Sequence, residues 1–221
     1  NPNLRPETAD TFTVGAVFQP TFLPGFSATV DLFSIKVKDI IGVIGADTIL
    51  SQCLQTGNPT LCGAINRDAN GTLWQTPQGY LVDTNVNAGT LKTRGIDVSA
   101  NYTLRTATAG TFNAGISGTY VDELTSSKVG AEFDCAGLYG AQCGFPQSKW
   151  RHRAVLSWTG TSGIGISGTW RHLSPTRFER TSSDTDLAGA FYARDARVPA
   201  QNYFDLAVSA RIEGKYTLRI G

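Results

Sequence analysis

The chain predicts an all-β protein, an antiparallel transmembrane β-barrel represented by about eight consecutive strands, and three observations predict it. First, stretches of alternating apolar and polar residues recur, with the apolar residues almost always on even numbers. In 94–104, Ile96, Val98, Ala100, Tyr102 and Leu104 alternate with Gly95, Asp97, Ser99, Asn101 and Thr103. Side chains alternate faces along a strand, so each stretch has one apolar and one polar face. Second, the polar face is mostly Gly, Ser, Thr and Asn, the lining of a wide, water-filled space. Third, the connections run short, long, short, long, as in barrels with short periplasmic turns and long external loops.

Taken in order, the first strand spans roughly 9–18, with Phe12, Val14, Ala16 and Phe18 on one face. Pro20, Pro24 and Gly25 stop the ladder and make a turn. The second strand starts at Phe26, with Ala28, Val30 and Leu32 outward and Ser27, Thr29 and Asp31 inward. The apolar phase then moves to Phe33, Ile35 and Val37, which predicts a bulge or exit from the bilayer. Residues 41–90 form a long excursion. Within it, 47–54 predicts a short helix with Asp47 as N-cap. Asn70-Gly71 predicts a hairpin turn, flanked by small strands at Leu73–Thr76 and Tyr80–Asp83.

The third strand runs 94–104, a short turn covers 105–110, and the fourth strand, 111–121, sets Phe112, Ala114, Ile116 and Tyr120 against Thr111, Asn113, Gly115, Ser117 and Thr119. Residues 123–148 form a second long loop. The fifth strand (150–158) carries Trp150, Ala154, Leu156 and Trp158 on the even face, and the sixth (164–172) carries Ile164, Ile166 and Trp170. A third long loop, 173–201, is charged. The seventh strand, 202–212, has Phe204, Leu206, Val208, Ala210 and Ile212 on even positions, Glu213-Gly214-Lys215 is a tight turn, and the eighth begins at Tyr216.

Composition narrows the function classes. The net charge is +1, from 19 basic and 18 acidic residues, with no basic tract to bind nucleic acid. Helical membrane spans are excluded because no run of 18 apolar residues exists, whereas strand spans need only about 9–11 residues. There are 24 glycines and no methionine, and with no signal peptide this reads as an internal piece or a processed chain. No Ser/His/Asp set, phosphate loop or carboxylate pair points to an enzyme, and no cofactor or metal site is expected.

The cysteines form two close pairs, Cys53/Cys62 and Cys135/Cys143, in loops between strands. Neither has a CxxC spacing, and no histidine is close in sequence to complete a zinc site. Two local disulfides cost the least loop-closure entropy and need an oxidising compartment; four free thiols are the alternative.

Two other architectures share the alternation. A soluble β-sandwich binding module also has one apolar face per strand, but the aromatics near strand ends and the regular long–short alternation favour a barrel. A complete eight-stranded structural or adhesive barrel has an interior filled by side chains, which small inward residues would leave underfilled. The strands are therefore expected to line a larger lumen.

His152 and His172 fall near the external ends of their strands and read as rim residues beside Trp150 and Trp170. Arg151, Arg153, Arg171, Asp97, Asp205 and Arg211 are odd and hence inward, either pairing with one another or a plug, or lining a polar path. Trp74 and Tyr80, beside the Asn70-Gly71 turn, are candidates to stack on a ring or sugar. Arg151, Arg153, Arg171 and Arg177 are candidates to hold an anionic ligand.

Three segments add a resemblance. Asn1-Pro2-Asn3-Leu4-Arg5-Pro6-Glu7-Thr8 resembles the "NPNLKPE" segment of TonB-dependent outer-membrane receptors. Val30–Asp39 (VDLFSIKVKD) is similar to a strand of that family, and Asn87–Asp97 (NAGTLKTRGID) to its "Na…GiE" segment, with Asp97 where Glu is usual. The resemblance implies a 22-stranded barrel with a lumenal plug, in a bacterial outer membrane, taking up a scarce nutrient with energy supplied through TonB. It implies a small-molecule or oligosaccharide substrate (a ferric siderophore, cobalamin or an oligosaccharide) and contact with outer-membrane lipid. On this reading residues 1–221 are part of the barrel domain, with the plug and the final strand absent.

Overall fold

The computed structural model describes residues 3–128, 131–212 and 215–221. Asn1 and Pro2 of the opening motif and Glu213-Gly214 of the last turn lie outside the described residues. The elements are β1 Thr8–Phe18, β2 Phe26–Gly42, α1 Ala46–Thr56, α2 Pro59–Gly63, β3 Ile65–Asn66, β4 Tyr80–Leu81, β5 Val86–Thr106, β6 Gly110–Lys128, β7 Ala131–Asp134, β8 Leu138–Tyr139, β9 Trp150–Thr159, β10 Ile164–Leu173, β11 Thr176–Phe178, β12 Arg197–Val198, β13 Gln201–Ile212 and β14 Tyr216–Ile220. The main sheet runs β1-β2-β5-β6-β9-β10-β13-β14, with β7 pairing off β6. Every long strand therefore sits beside the next long strand in sequence, the up-and-down order that the alternation of connections predicts. The path is open, with β1 and β14 at its two ends.

Contacts divide the chain into two compact units. One comprises residues 1–10, 35–92 and 125–134; the other comprises 11–34, 93–124 and 135–221.

In the second unit the register keeps the faces apart. Phe112, Trp158, Ile166, Val208 and Ile220 form one rung; Ala114, Leu156, Gly168 and Leu206 the next; Ile116, Ala154, Trp170 and Phe204 the one after. All are even-numbered, and they stay open: Leu156 is 64% exposed, Leu206 68% and Phe204 75%. Among the described residues no apolar side chain of the eight long strands is buried. A soluble sandwich would cover this face with a second sheet, and among the described residues none covers it.

The phase change in β2 is not a bulge at Phe33. Thr29 bonds Ser99 through their hydroxyls at 2.8 Å, and Phe33, four residues on, lies over Gly95, four residues before Ser99. A Cβ on Gly95 would come within 2.8 Å of the Phe33 ring and 2.1 Å of the Tyr120 carbonyl oxygen. Thus the backbone keeps its phase, and an aromatic ring occupies the polar face because glycine opposite leaves it room.

In the first unit the strand irregularity appears at Asp39, whose φ is 56°. That conformation interrupts the ladder, and side chains take up the freed groups. Asn87 donates to the Asp39 carbonyl at 2.7 Å, and the Glu7 carboxylate accepts the Ile41 N–H at 2.7 Å. Asn87 also accepts from the Arg5 N–H and donates to the Arg5 carbonyl, both at 2.8 Å, copying a strand pairing with its side-chain amide. The Arg5 guanidinium reaches the Asp39 carboxylate at 3.3 Å. The three segments that carry the family resemblance thus meet at one backbone irregularity.

Helix α1 corrects the expected cap. It starts one residue earlier, with Gly45 at the N-cap position and Asp47 inside the first turn; no side chain caps it. The Asp83 carboxylate instead accepts the N–H groups of Ile44 (3.1 Å) and Gly45 (3.2 Å), immediately ahead of the helix. Helix α2, absent from the sequence reading, is capped by Asn58, which accepts from Thr60 and Leu61. The strand expected at Leu73–Thr76 does not form; Tyr80–Leu81 pairs with Ile65–Asn66.

Strands β5 and β6 outrun their predicted limits, reaching back to Val86 and on to Lys128, so the first two loops are shorter than expected. The extensions, such as Thr90-Leu91-Lys92-Thr93-Arg94, lose the alternation that marks a lipid-facing strand.

Both cysteine pairs are disulfides, Cys53–Cys62 and Cys135–Cys143, and there are no free cysteines among the described residues.

Candidate functional site

Strands β9 and β10 carry opposite chemistry on their two faces. On the even face, Gly118, His152, His172 and Asn202 form a rung next to that of Trp170 and Phe204. The His152 and His172 rings stack at 5.1 Å, His152 meets Trp170 edge-on at 4.5 Å, and Trp170 stacks on Phe204 at 6.1 Å. Trp150 donates its indole N–H to His152 Nδ1 at 2.8 Å, and Trp170 donates to Asn202 Oδ1 at 2.9 Å. His172 Nδ1 also lies 2.9 Å from Asn202 Oδ1. The histidines are therefore packed into an aromatic belt beside the tryptophans, as their positions predict.

The odd face holds the arginines. Arg153 sits directly opposite Arg171, Arg151 opposite Leu173, and Ser117 and Thr119 flank them on β6. Like charges directly opposite destabilise a sheet, and the structure relieves only one of them. Arg171 pairs with Asp205 at 3.2 Å and stands over the Tyr203 ring, 5.4 Å from its centroid. Among the described residues no carboxylate pairs with Arg151 or Arg153. Asp97, on the same wall, accepts from the Thr119 hydroxyl at 2.6 Å. These groups border one cavity of about 520 Å³, lined by Asp97, Thr119, Arg151, Arg153, Arg171 and Tyr203 among others. It is an open, basic, hydroxyl-rich recess, shaped for an anionic or polyhydroxylated group.

Arg177 is not part of this recess. It lies on β11 in a small separate sheet, opposite Arg197 and beside Leu138 of β8. Trp74 and Tyr80 lie in the other unit, 78% and 51% exposed. Their loop is organised by Asp68, which is buried. Its carboxylate accepts from the N–H groups of Asn70 (3.0 Å) and Thr72 (2.8 Å) and from the Thr72 hydroxyl (2.6 Å). The Thr72 hydroxyl, followed by the backbone donors, holds the Asp68 carboxyl below its ordinary range.

Sequence reasoning placed Arg151, Arg153 and Arg171 on one face but missed Tyr203 and Thr119 as their neighbours. Both are odd-numbered, so the face was readable; the register that aligns Tyr203 with Arg171 was not. It also missed Glu179, which is buried in a charged loop and carries no local pattern.

Comparison with known proteins follows the same lines. Residues 1–221 match the family model described as TonB dependent receptor-like, beta-barrel. No curated protein matches the chain by sequence. Among solved structures, a mutant of the ferric enterobactin receptor PfeA from Pseudomonas aeruginosa aligns with a TM-score of 0.62 at 11% identity, covering 99% of this chain and 26% of that one. A variant of the FrpB iron transporter from Neisseria meningitidis aligns at 0.55 and 16% identity, covering 96% and 25%. The copper transporter OprC aligns at 0.52 and 14% identity, covering 99% and 25%. At these identities the likeness is one of fold. The chain spans about a quarter of the length of the structures it matches.

Proposed function

We propose, because the chain belongs to the TonB-dependent receptor β-barrel family, that it forms part of the barrel wall of a bacterial outer-membrane receptor that takes up a scarce nutrient with energy supplied by TonB. The observation that carries this reading is the two-faced wall. One face is an apolar surface that none of the described residues covers, including a groove of about 700 Å³ bordered by Leu156, Trp170, Phe204 and Leu206; it suits lipid. The other is polar and basic and suits a water-filled passage. Coupling to TonB would run through a plug in the lumen, and the protein is a transporter rather than an enzyme.

The ligand class that the recess favours is anionic, and a ferric siderophore fits better than a neutral oligosaccharide or cobalamin. Arg151 and Arg153 supply donors not engaged by carboxylates, and Tyr203 supplies a flat ring. The named solved relatives, an iron transporter, a ferric enterobactin receptor and a copper transporter, agree with metal uptake. Trp74, Tyr80 and Arg177 are separate candidate contacts for the ligand in the external loops. Replacing Trp74, Tyr80, Arg151 and Arg171 by Ala together in the full-length protein is expected to weaken binding of a ferric siderophore at unchanged membrane level. Unchanged affinity would move the site to the plug or to the rest of the barrel.

A further inference from the structure

Glu179 is a buried carboxylate that the transport reading does not use. It is 4% exposed, and among the described residues no basic side chain pairs with it. Its partners are backbone donors of another loop: the N–H groups of Gln142 and Cys143, both 2.9 Å from the same carboxylate oxygen. Burying a charge is costly unless donors meet it, so the site is built around the carboxylate rather than merely tolerating it. Gly140 completes the pocket. A Cβ there would stand 2.2 Å from the Glu179 carboxyl carbon, and the residue has φ of 152°. The disulfide Cys135–Cys143 closes the same loop and places Cys143 among the donors.

Further contacts join the two loops along their length. Strand β8 pairs in parallel with β11, and β11 pairs with β12. Tyr139 packs on Phe178 at 5.6 Å and donates its hydroxyl to the Asp195 carbonyl. At the base, Ser174 donates its N–H to the Trp150 carbonyl, and its hydroxyl accepts the Trp150 N–H at 3.0 Å.

We propose that Glu179 is a latch that fastens the 174–200 loop to the disulfide-closed 135–149 loop, so that the two move as one lid rather than opening and closing separately. This goes beyond the uptake function and does not depend on which ligand is carried. The carboxylate of one loop is held by two adjacent N–H donors of the other, so losing either side frees both. The lid can therefore be opened from either loop.

The test is hydrogen exchange on the full-length, ligand-free protein in a bilayer mimic, with each loop perturbed from the other side. Glu179→Ala should raise exchange in 137–147, and Gly140→Ala, which leaves the carboxylate intact but takes its space, should raise exchange in 176–188. Loss of hydrogen bonds to a charged group predicts an increase of about tenfold or more in each. Glu179→Gln, which keeps an acceptor, should give a smaller change. Exchange in β9 and β10 should not move, which reports that the wall is intact. Increases confined to the substituted loop in both variants would overturn the latch and leave two independent loops.

Discussion

The wall and the loops of this protein are built on opposite principles. In the eight long strands no apolar side chain is buried among the described residues. The buried ones, Ile49, Leu61, Phe133, Cys135, Ala136, Leu138, Cys143 and Leu187, all lie outside those strands. The wall leaves its apolar face exposed and draws its uniqueness from a backbone ladder whose side chains alternate with a period of two. The loops are too short to build a large core, and use disulfides, the Asn58-capped helix α2 and buried carboxylates such as Asp68 and Glu179.

The largest test strikes the wall. Leu206→Arg, on the rung between Phe204 and Val208, should destabilise the protein in the membrane by about 2–4 kcal/mol, the cost of a charge near the middle of the apolar band. Ser167→Arg, on the polar face of the neighbouring strand, should be close to neutral. Equilibrium unfolding in liposomes reads both, and equal losses would erase the distinction between faces. In the loops, replacing Cys135 and Cys143 by Ser should cost about 2–3 kcal/mol of local stability through the freed unfolded chain. Limited proteolysis should then cut within 135–149 while the strands remain resistant.

A smaller effect is expected where wall and motif meet. Asn87→Ala removes the side-chain amide that pairs with Arg5 and the Asp39 carbonyl. At about 0.5–1.5 kcal/mol per hydrogen bond, it should loosen β1 selectively, seen as faster exchange in 5–10 without change in β9 or β10. The smallest effect is one of pH. The Asp68 carboxyl is held low when folded, so its contribution is complete above the unfolded value of about 3.9 and is lost as pH falls through the lower folded value. Exchange in 68–76, corrected for intrinsic rate, should rise only in that acid window and should be insensitive to pH in Asp68→Asn. A rise beginning near neutral pH would point to another group.

The strands were readable because side chains alternate faces along a strand and the two faces of this sheet carry opposite chemistry. From Phe204 to Ile212 every even position is apolar. Legibility failed where that constraint ends. The outer reaches of β5 and β6 lost their alternation yet remained in the ladder. Asp47 was the obvious cap for α1, but Asp83, far along the chain, provides the carboxylate ahead of the helix. Phe33 mimicked a phase slip because the space opposite, at Gly95, depends on which strands pair and at what offset.

Residue types and their order by themselves determined the all-β class, the order of the eight strands, the separation of faces and the two local disulfides. Each follows from interactions repeated every second residue or closed over a short loop. Tertiary structure alone decided the register that sets Arg153 against Arg171 and Tyr203 beneath it, the meeting of Arg5, Asp39 and Asn87, and the docking of Glu179 onto Gln142 and Cys143. These join residues distant in sequence through strand register and a few hydrogen bonds or ion pairs. Such contacts leave no period in the chain, because nothing local distinguishes a residue that will find its partner from one that faces water.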